Sequence, residues 1–190
     1  MPRVSQEHLD SRRQQILDGA RSCFAKFGYE GATVRRLEEA TELSRGAIFH
    51  HFRDKDALFL AVASVDAAEM AATVAERGLV GVMQDLTTGA DKPETAGWLG
   101  TQLEVARRLR TDPEFAEAWG RRREAIAEAS RERLEHQREI GVLRTDVDIE
   151  VLAGFLQLMY DGLVRYLATG RDDLDITRIL RLVEEAVRRH

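Results

Sequence analysis

The sequence predicts an all-α protein of about nine helices, and three observations lead to that class. Only three prolines interrupt the 190 residues, and good helix formers dominate between them. Apolar residues recur at helical spacing along nearly the whole chain. Near the N-terminus, two short helical patterns, each opened by a hydroxyl residue, follow one another across a short turn. That arrangement is typical of a helix-turn-helix, a unit that reads DNA.

The first helix is predicted over about 11–27, where Ile16 and Phe24 belong to an apolar stripe at helical spacing. Gly28 stands at the position of a C-terminal cap. Residues 1–10 are polar without a period, and we expect them to form a mobile N-terminal arm.

The second and third helices form the helix-turn-helix. Thr33 is expected to cap helix two, and Ser44 to cap helix three, because a hydroxyl oxygen accepts a bond from a free N–H of the first turn. The residues expected to face inward are Leu37, Ala40, Ile48 and Phe52.

The rest of the chain reads as six further helices, the first of them capped by Asp54. Pro113 follows Asp112 as the first residue of another helix, and residues 88–94 form the clearest loop. The predicted helices cover about 55–78, 79–86, 95–109, 113–138, 148–169 and 175–189. We therefore expect two domains, 1–54 and 55–190.

The helix at 148–169 is apolar on nearly every side, which is unusual for a surface helix of a monomer. Its extra face needs a partner, and a second copy of the chain is the simplest one. Gly154 and Gly162 lower its helix propensity by roughly 1 kcal/mol each. Either a close approach of another helix or a local kink would account for them. We expect a homodimer formed through the last two helices.

Charge is distributed unevenly along the chain. The protein carries a net charge of −5, yet residues 1–60 sum to +1 and residues 61–190 to −6. A basic face on the first domain is therefore possible on an acidic protein. The single cysteine, Cys23, lies in an apolar helical pattern, so disulfides and cysteine-based zinc sites are excluded within one chain.

The sequence contains neither a signal-peptide pattern nor an apolar run approaching the roughly 20 residues of a membrane span. We expect a cytoplasmic protein with no membrane contact.

Arg35 and Arg36 occupy the first turn of helix two, where the helix dipole disfavours a cation by about 0.3–1 kcal/mol. A DNA phosphate opposite would explain them, although two solvated arginines remain possible. On helix three, Gly46 and Ala47 are small enough for close approach to a groove. The adjacent side chains of His50 and His51 diverge by about 100° and cannot chelate a metal together.

Residues 11–59 resemble the DNA-binding domain of the TetR family of bacterial transcription regulators. The resemblance rests on Ile16-Leu17, Ala20, Phe24, Gly28-Tyr29, Ala32-Thr33 and the run from Phe49 to Leu58. It implies a dimeric repressor whose C-terminal helical domain binds an effector and whose two recognition helices read a palindromic operator in successive major grooves. From the pattern and the resemblance, the predicted DNA contacts are Thr33, Arg35, Arg36, Ser44, Arg45, Gly46, Ala47, Phe49, His50, His51 and Lys55.

Two positions depart from the family pattern. The turn usually carries glycine where this chain has Glu42, so either Glu42 adopts a positive φ at roughly 1 kcal/mol or the turn differs. Phe49 replaces the usual tyrosine, so a hydroxyl bond to phosphate is lost at that position.

Two charged residues of the second domain lie on or beside apolar helix faces. Arg133 is spaced by sevens from Trp119 and Ile126, and Glu184 follows Leu180 on the last helix. Buried charges are retained when they are paired or bind a ligand. An effector site, a helix flank and an internal salt bridge are all compatible with the pattern.

A second resemblance extends over nearly the whole chain, to the aconitase repressors of actinobacterial type, a branch of that family. The segments that carry it are 31–41, 44–52, 109–113, 143–152 and 167–170. It implies repression of an aconitase gene, release by citrate with a divalent cation such as magnesium, and no catalytic cofactor. Arg133 is carried over as the citrate contact and Glu184 as the metal contact, with Glu104, Arg107 and Arg108 as weaker effector candidates.

Other functions fit the sequence less well. None of the five histidines belongs to a nucleophile or metal constellation, and there is no glycine-rich phosphate loop, which argues against an enzyme. A helical adaptor without DNA affinity would not need the helix-turn-helix. The serious alternative is a repressor of the same family that senses a different, more apolar molecule.

Overall fold

The computed structural model describes residues 6–188, and for residues 6–8, 93, 94 and 104 it describes the backbone alone. All its regular elements within that range are helices. They are α1 (Gln6–Gly31), α2 (Val34–Thr41), α3 (Arg45–His51), α4 (Lys55–Thr88), α5 (Pro93–Thr111), α6 (Pro113–Glu139), α7 (Ile149–Ala168) and α8 (Ile176–Val187). The all-α prediction is confirmed, and the two segments of α4 on either side of Gly78 correspond to the two helices predicted there.

The first helix begins earlier than predicted. Residues 6–10 are helical, whereas helix one was predicted from about residue 11; the mobility of the arm over 1–10 remains a prediction, and residues 1–5 lie outside the described range. The segment lacks an apolar period because it is exposed, at least at Leu9 and Asp10. An exposed first turn needs no apolar stripe, and nothing between Gln6 and Ser11 stops a helix.

Glycine permits a backbone break inside two of the long helices. Gly28 has φ 69° and ψ 175° within α1, and Gly78 has φ 76° and ψ 167° within α4. Residues with a Cβ rarely adopt a positive φ, so both breaks depend on glycine. The break at Gly78 divides α4 into a long segment that starts beside α3 and a short segment that ends at Thr88.

Two apolar cores hold the helices together. The first is built from α1, α2, α3 and the start of α4, and it continues to Val105 on α5 and to Phe115 and Trp119 on α6. The second lies among the later part of α4 and helices α5 to α8. Because the first core includes residues of α6, apolar packing crosses position 54/55, and the domain boundary there remains a prediction.

The inward face of α2 differs from the prediction by one residue. Leu37 is buried as expected, but Ala40 is exposed and Thr41 is buried in its place. The Thr41 hydroxyl donates to the Leu37 carbonyl at 2.7 Å, so its polar atom is satisfied inside the helix. A hydroxyl satisfied in this way can be buried without a large cost.

Helices α7 and α8 present a shared apolar surface to solvent. Val151 and Leu158 on α7 are 59% and 68% exposed, and Leu182 on α8 is 65% exposed. Gly154 and Gly162 lie on the same side of α7, with open space where a Cβ would stand. No break in α7 accompanies them. A local kink therefore does not explain these glycines, and the close approach of another helix is the remaining explanation.

Within the described residues, α4 has an 18-residue window with a mean hydropathy of 1.6, enough by length and composition for a membrane span. The expectation that no apolar run approaches that length is therefore wrong. Alanines, valines and other apolar residues fill the positions between the few charged residues of α4. A third of that window is buried. The core helices of soluble proteins meet the same criterion, so one such helix is only weak evidence for membrane contact.

Candidate DNA-binding surface and effector cavities

Side-chain caps position the helix-turn-helix as the sequence predicts. Thr33 accepts a bond from the backbone N–H of Arg36 at 3.4 Å, and Ser44 accepts one from that of Ala47 at 3.3 Å. The Glu38 carboxylate also accepts the backbone N–H of Arg45 at 2.6 Å, which ties α2 to the start of α3. With the core residues Ile48 and Phe52 buried, the orientation of α3 is set.

Glu42 adopts the left-handed conformation, with φ 57° and ψ 29°, at the C-terminal cap of α2. Of the two possibilities left by the missing glycine, strain at Glu42 is therefore the correct one. Among the described residues it is the one non-glycine position with a positive φ.

Replacing this residue by glycine should relieve the strain. We expect Glu42→Gly to raise the free energy of unfolding by about 1 kcal/mol, because the Cβ repulsion disappears. Glu42→Ala is the matched control, since it removes the carboxylate but keeps the Cβ. Urea denaturation of the three proteins measures the effect. An equal gain in both variants would assign it to the charge of Glu42 at the α2 C-terminus.

The two arginines of the first turn of α2 are placed differently. The Arg35 side chain is 88% exposed and pairs loosely with Glu39 on the same helix. The Arg36 guanidinium donates to the Gly31 carbonyl at 2.8 Å and lies 4.1 Å from the centre of the Phe27 ring. Part of the dipole penalty at Arg36 is thus offset by a carbonyl at the end of α1, whereas Arg35 remains available to an anion.

The outer side of α3 is formed largely by small and polar side chains. Arg45, Gly46 and His50 are exposed, and a Cβ at Gly46 would meet no other atom within 4 Å. Phe49 is half-buried and packs against the first core, so it has a structural role beside any DNA contact. The rings of His50 and His51 are perpendicular, with centres 5.5 Å apart, as expected for neighbours that do not chelate a metal together.

A cluster of charged side chains joins the DNA-reading helices to the rest of the protein. Arg108 of α5, whose side chain is 12% exposed, donates to both oxygens of Asp56 at 2.8 and 3.0 Å and to Asp112 at 3.0 Å. Asp56 also accepts the Tyr29 hydroxyl, and Lys55 donates to the Tyr29 carbonyl at 2.9 Å. We call Tyr29, Asp56, Arg108 and Asp112 the junction cluster.

The weaker effector candidates do not join Arg133. Arg108 is engaged in the junction cluster, and Arg107 lies 4.0 Å from Glu30 of α1 with most of its side chain exposed. Neither is among the residues that line the two cavities described below. The side chain of Glu104 lies outside the described residues. Arg107 and Arg108, which the resemblance suggested as effector contacts, instead contact α1 and the start of α4.

The junction cluster makes a pH-dependent contribution to stability. The Arg108 guanidinium lowers the pKa of Asp56, so the bonds of Asp56 stabilise the fold above its unfolded pKa of about 4 and are lost as the pH falls through the folded value. We expect Asp56→Asn to cost about 1–2 kcal/mol at pH 7, discounted because the carboxylate is 42% exposed. The cost should shrink at pH 3.

Urea denaturation at the two pH values measures this difference. Asp173→Asn is the control, because Asp173 pairs with Arg171 at an exposed site and should cost less than about 0.5 kcal/mol. A loss for Asp56→Asn that is equally large at pH 3 would show that the ionised carboxylate is not its cause.

A small cavity of about 110 Å³ lies at the break in α4 and receives residues from α4, α6, α8 and the segment after α6. We call it the hinge cavity. Its polar lining consists of Arg77, Ser130, Arg133, Gln137, Glu184 and Arg188. The two residues singled out on the second domain, Arg133 and Glu184, therefore line one cavity although they are far apart in sequence.

The side chains of the hinge cavity leave hydrogen-bonding capacity unused. The Arg133 Nε is buried with no hydrogen-bond partner in the described part of the chain, and its terminal nitrogen makes one long bond of 3.4 Å to the Ala75 carbonyl. Glu184 forms an ion pair with Arg188. The sequence left three explanations for Arg133: an effector site, a helix flank and an internal salt bridge. The helix flank fits least, because a residue at a helix flank would not bury a nitrogen donor without a partner.

The charges of the hinge cavity define what it can bind. Three arginines and one carboxylate line it, which favours a small ligand with several negative charges. Among the described residues, no group of three or more His, Cys, Asp or Glu side chains could hold a metal ion. A cation would therefore need most of its ligands from the anion and solvent, with Glu184 as one protein ligand.

A larger cavity of about 520 Å³ lies between α1, α4, α5, α6 and α7. We call it the large cavity. Its walls are mainly apolar and aromatic, and the aromatic residues are Phe24, Phe59, Trp98, Trp119 and Tyr160. Arg122 also lines it, stacked on Trp119 and donating to the Ala63 carbonyl at 3.2 Å, and burial lowers its pKa. Its volume falls in the range of about 300–1,000 Å³ typical of sites for drug-sized ligands.

Sequence reasoning did not find Arg77 and Arg188 as residues of the hinge cavity. Arg188 could have been found, because it lies one helical turn after Glu184. Arg77 gave a weaker signal. It precedes Gly78, the glycine at which helix four was predicted to end, and arginine in a last turn is a common helix-ending feature. Its position in the cavity depends on the packing of α6 and α8 against α4.

The chain is similar in sequence to known bacterial regulatory proteins. Residues 16–62 match the profile described as bacterial regulatory proteins, tetR family. The chain is 51% identical over 189 residues to the HTH-type transcriptional repressor Rv1474c of Mycobacterium tuberculosis, covering all of both chains. It is 52% identical to the HTH-type transcriptional repressor AcnR of Corynebacterium diphtheriae, covering 99% of this chain and 97% of that one.

Solved structures share the fold at low sequence identity. A TetR transcription regulator from Haloarcula marismortui superposes with a TM-score of 0.75 at 17% identity, over 95% of this chain and all of that chain. The regulator FadR from Bacillus subtilis, in complex with stearoyl-CoA, gives a TM-score of 0.70 at 16% identity, over 90% of this chain and 95% of that one. At these identities the match concerns the fold alone.

Proposed function

The chain belongs to the TetR family of bacterial regulatory proteins, and on that premise we propose how this DNA-binding transcriptional repressor recognises its operator and its effector. Its full-length relatives are repressors, which agrees with the expectation that the protein is not an enzyme. We place it in the cytoplasm, where its DNA is found.

We propose a homodimer that reads a palindromic operator with two copies of α3. The exposed apolar face of α7 and α8, with its two glycines, supports a self-complementary interface. Two recognition helices then enter major grooves about 34–36 Å apart. The proposed contacts are the exposed residues Thr33, Arg35, Arg36, Ser44, Arg45, Gly46 and His50, together with the half-buried residues Ala47, Phe49, His51 and Lys55.

The proposed effector is citrate bound together with magnesium, and the proposed target is an aconitase gene. The observation that carries this proposal is the meeting of Arg133 and Glu184 in the hinge cavity, with the unpaired Nε of Arg133. The resemblance to actinobacterial aconitase repressors agrees with it, and a relative that is 52% identical carries the name AcnR.

Each group of the hinge cavity has a role in this proposal. Arg133 binds a carboxylate of citrate through charge-assisted bonds, and Ser130 and Gln137 can donate to its remaining oxygens. Magnesium would neutralise part of the citrate charge and link it to the Glu184 carboxylate. Arg188 pairs with one oxygen of the Glu184 carboxylate, and the other oxygen can serve the cation.

A thermal-shift titration tests the effector. We expect citrate with magnesium to stabilise the protein more than either component alone, and to weaken operator binding in a gel shift. Arg133→Ala and Glu184→Gln should lose this response. The controls are Arg121→Ala, which alters an exposed arginine of α6, and Glu185→Gln, which alters the exposed neighbour of Glu184. Equal stabilisation of all four variants would contradict the proposed site.

The large cavity favours a second candidate effector, a more apolar molecule. Its aromatic walls and volume of about 520 Å³ support such a ligand. The regulator FadR that shares the fold was solved with stearoyl-CoA. Stabilisation by an apolar compound that persists in Arg133→Ala, with no effect of citrate and magnesium, would favour this alternative.

A further inference from the structure

The short segment of α4 after Gly78 borders both cavities. The hinge cavity is lined by Arg77, Gly78 and Leu79, the residues at the break itself. Seven residues after Gly78, on the short segment of α4, Asp85 lines the large cavity. The break between them depends on the positive φ of Gly78. A residue that spans this break can therefore respond to a ligand in one cavity and alter the other.

Arg77 spans the break. Its guanidinium binds both oxygens of Asp85, with one N–O distance of 3.2 Å and a second, shorter bond. The two residues are eight positions apart, too far for neighbours on one continuous helix turn, and the break brings them together. Their side chains are 46% and 55% exposed, so the ion pair contributes little to stability and can be exchanged at low cost.

The dimensions of the hinge cavity require a rearrangement of this kind. Its volume of about 110 Å³ is well below the range of about 300–1,000 Å³ found for most small-molecule sites. A ligand with several carboxylates enters only if lining side chains turn outward or change partners. Arg77 and Arg188 are the lining arginines that hold an acidic partner, and Arg77 alone of these two holds a residue of the large cavity.

We propose that Arg77 is a specificity-determining residue of the effector site, and that it exchanges Asp85 for a carboxylate of the bound anion. The inference rests on the proposed function of the hinge cavity and extends it. It assigns Arg77 as a ligand for the polyanion, and it assigns Asp85 as the competitor that this ligand displaces.

The exchange provides a physical route to the DNA-binding helices. Arg77 is the last residue of the long segment of α4 before Gly78, and that segment begins at the cap of Asp54, three residues after α3 ends. Releasing Asp85 removes the ion pair that joins the two segments of α4 across the break. The angle between the segments then depends on the effector, and by linkage the operator weakens effector binding as much as the effector weakens operator binding.

Charge-neutral variants of the pair separate this proposal from a structural role. In Arg77→Gln the effector loses a ligand, and we expect its affinity for citrate with magnesium to fall about tenfold. In Asp85→Asn the arginine loses its competitor, and we expect the affinity to rise about threefold, with weaker operator binding in the absence of citrate. Arg171→Gln and Asp173→Asn, from an exposed pair remote from the cavity, are the matched controls.

Isothermal titration of full-length protein with citrate in the presence of magnesium gives these affinities, and a gel shift gives operator binding. Changes of opposite sign in the two variants support the exchange. Changes of the same sign, or no change beyond that of the controls, overturn it, because an ion pair with a purely structural role is broken equally by either substitution. If wild-type protein binds no citrate with magnesium, the proposed effector itself is wrong. That result differs from one in which wild-type protein binds citrate and Arg77→Gln binds it with the same affinity, which overturns only the exchange.

Discussion

Replacing Gly97 by alanine is expected to destabilise the protein by about 3 kcal/mol, because α5 crosses α1 there at backbone contact. A Cβ built on Gly97 would overlap the Ala25 carbonyl group and its α-carbon. Backbone atoms cannot rotate away as a side chain can, so α1 and α5 would have to separate. That movement would also disturb the first core, which both helices help to build.

Gly100 is the matched control for this substitution. It lies on the same helix three residues later, and a Cβ there would meet no other atom within 4 Å. Gly100→Ala should therefore show the gain in helix propensity alone, about 1 kcal/mol of added stability. Urea denaturation followed by circular dichroism measures both variants. If Gly97→Ala is as stable as Gly100→Ala, the close packing of α5 against α1 is incorrect.

Introducing glutamate at both Leu158 and Leu182 is expected to convert the proposed dimer into a folded monomer. Both side chains are about two-thirds exposed on the shared surface of α7 and α8, so the fold of one chain loses little. In a dimer the same positions bring four like charges into an apolar interface, where each would be buried without a partner. Operator affinity should fall roughly 100-fold or more, because two linked heads bind far more tightly than one.

Light scattering after size exclusion gives the mass, and a gel shift gives the operator affinity. Leu103→Glu is the control, since Leu103 is a large apolar residue that is 43% exposed and belongs to α5 and not to α7 or α8. It should leave both the mass and the affinity unchanged. A double variant that keeps the mass of a dimer would move the interface to another face of the molecule.

The sequence allowed the helix-turn-helix to be predicted almost residue by residue. The caps at Thr33, Ser44 and Asp54 are made by the predicted side chains, because capping depends on residues three positions apart. The strain at Glu42 was one of two expected outcomes, because the family pattern has glycine at that position of the turn. Ala40 was predicted to face inward because it is apolar. Thr41 is buried instead, because its hydroxyl donates to the Leu37 carbonyl within the same helix.

The effector site was less accessible to prediction. Helical spacing identified Arg133 and Glu184 as charges near apolar faces, but it could not distinguish a ligand site from a salt bridge. The resemblance to aconitase repressors suggested Arg107 and Arg108, which the structure places at α1 and in the junction cluster. Helical periodicity predicts which face of a helix a residue occupies. Only the packing of the helices shows which residues lie opposite that face.

The sequence by itself determined the fold class, the DNA-reading helices, the family and the excess apolar face of α7, because each depends on local spacing or on a motif within a short segment. Tertiary structure alone decided that Arg133 and Glu184 share a cavity, that Arg77 reaches Asp85 across Gly78, and that α5 touches the backbone of α1 at Gly97. These features depend on the relative positions of helices that are distant in sequence. Those positions result from the summed packing of two cores, which no local pattern encodes.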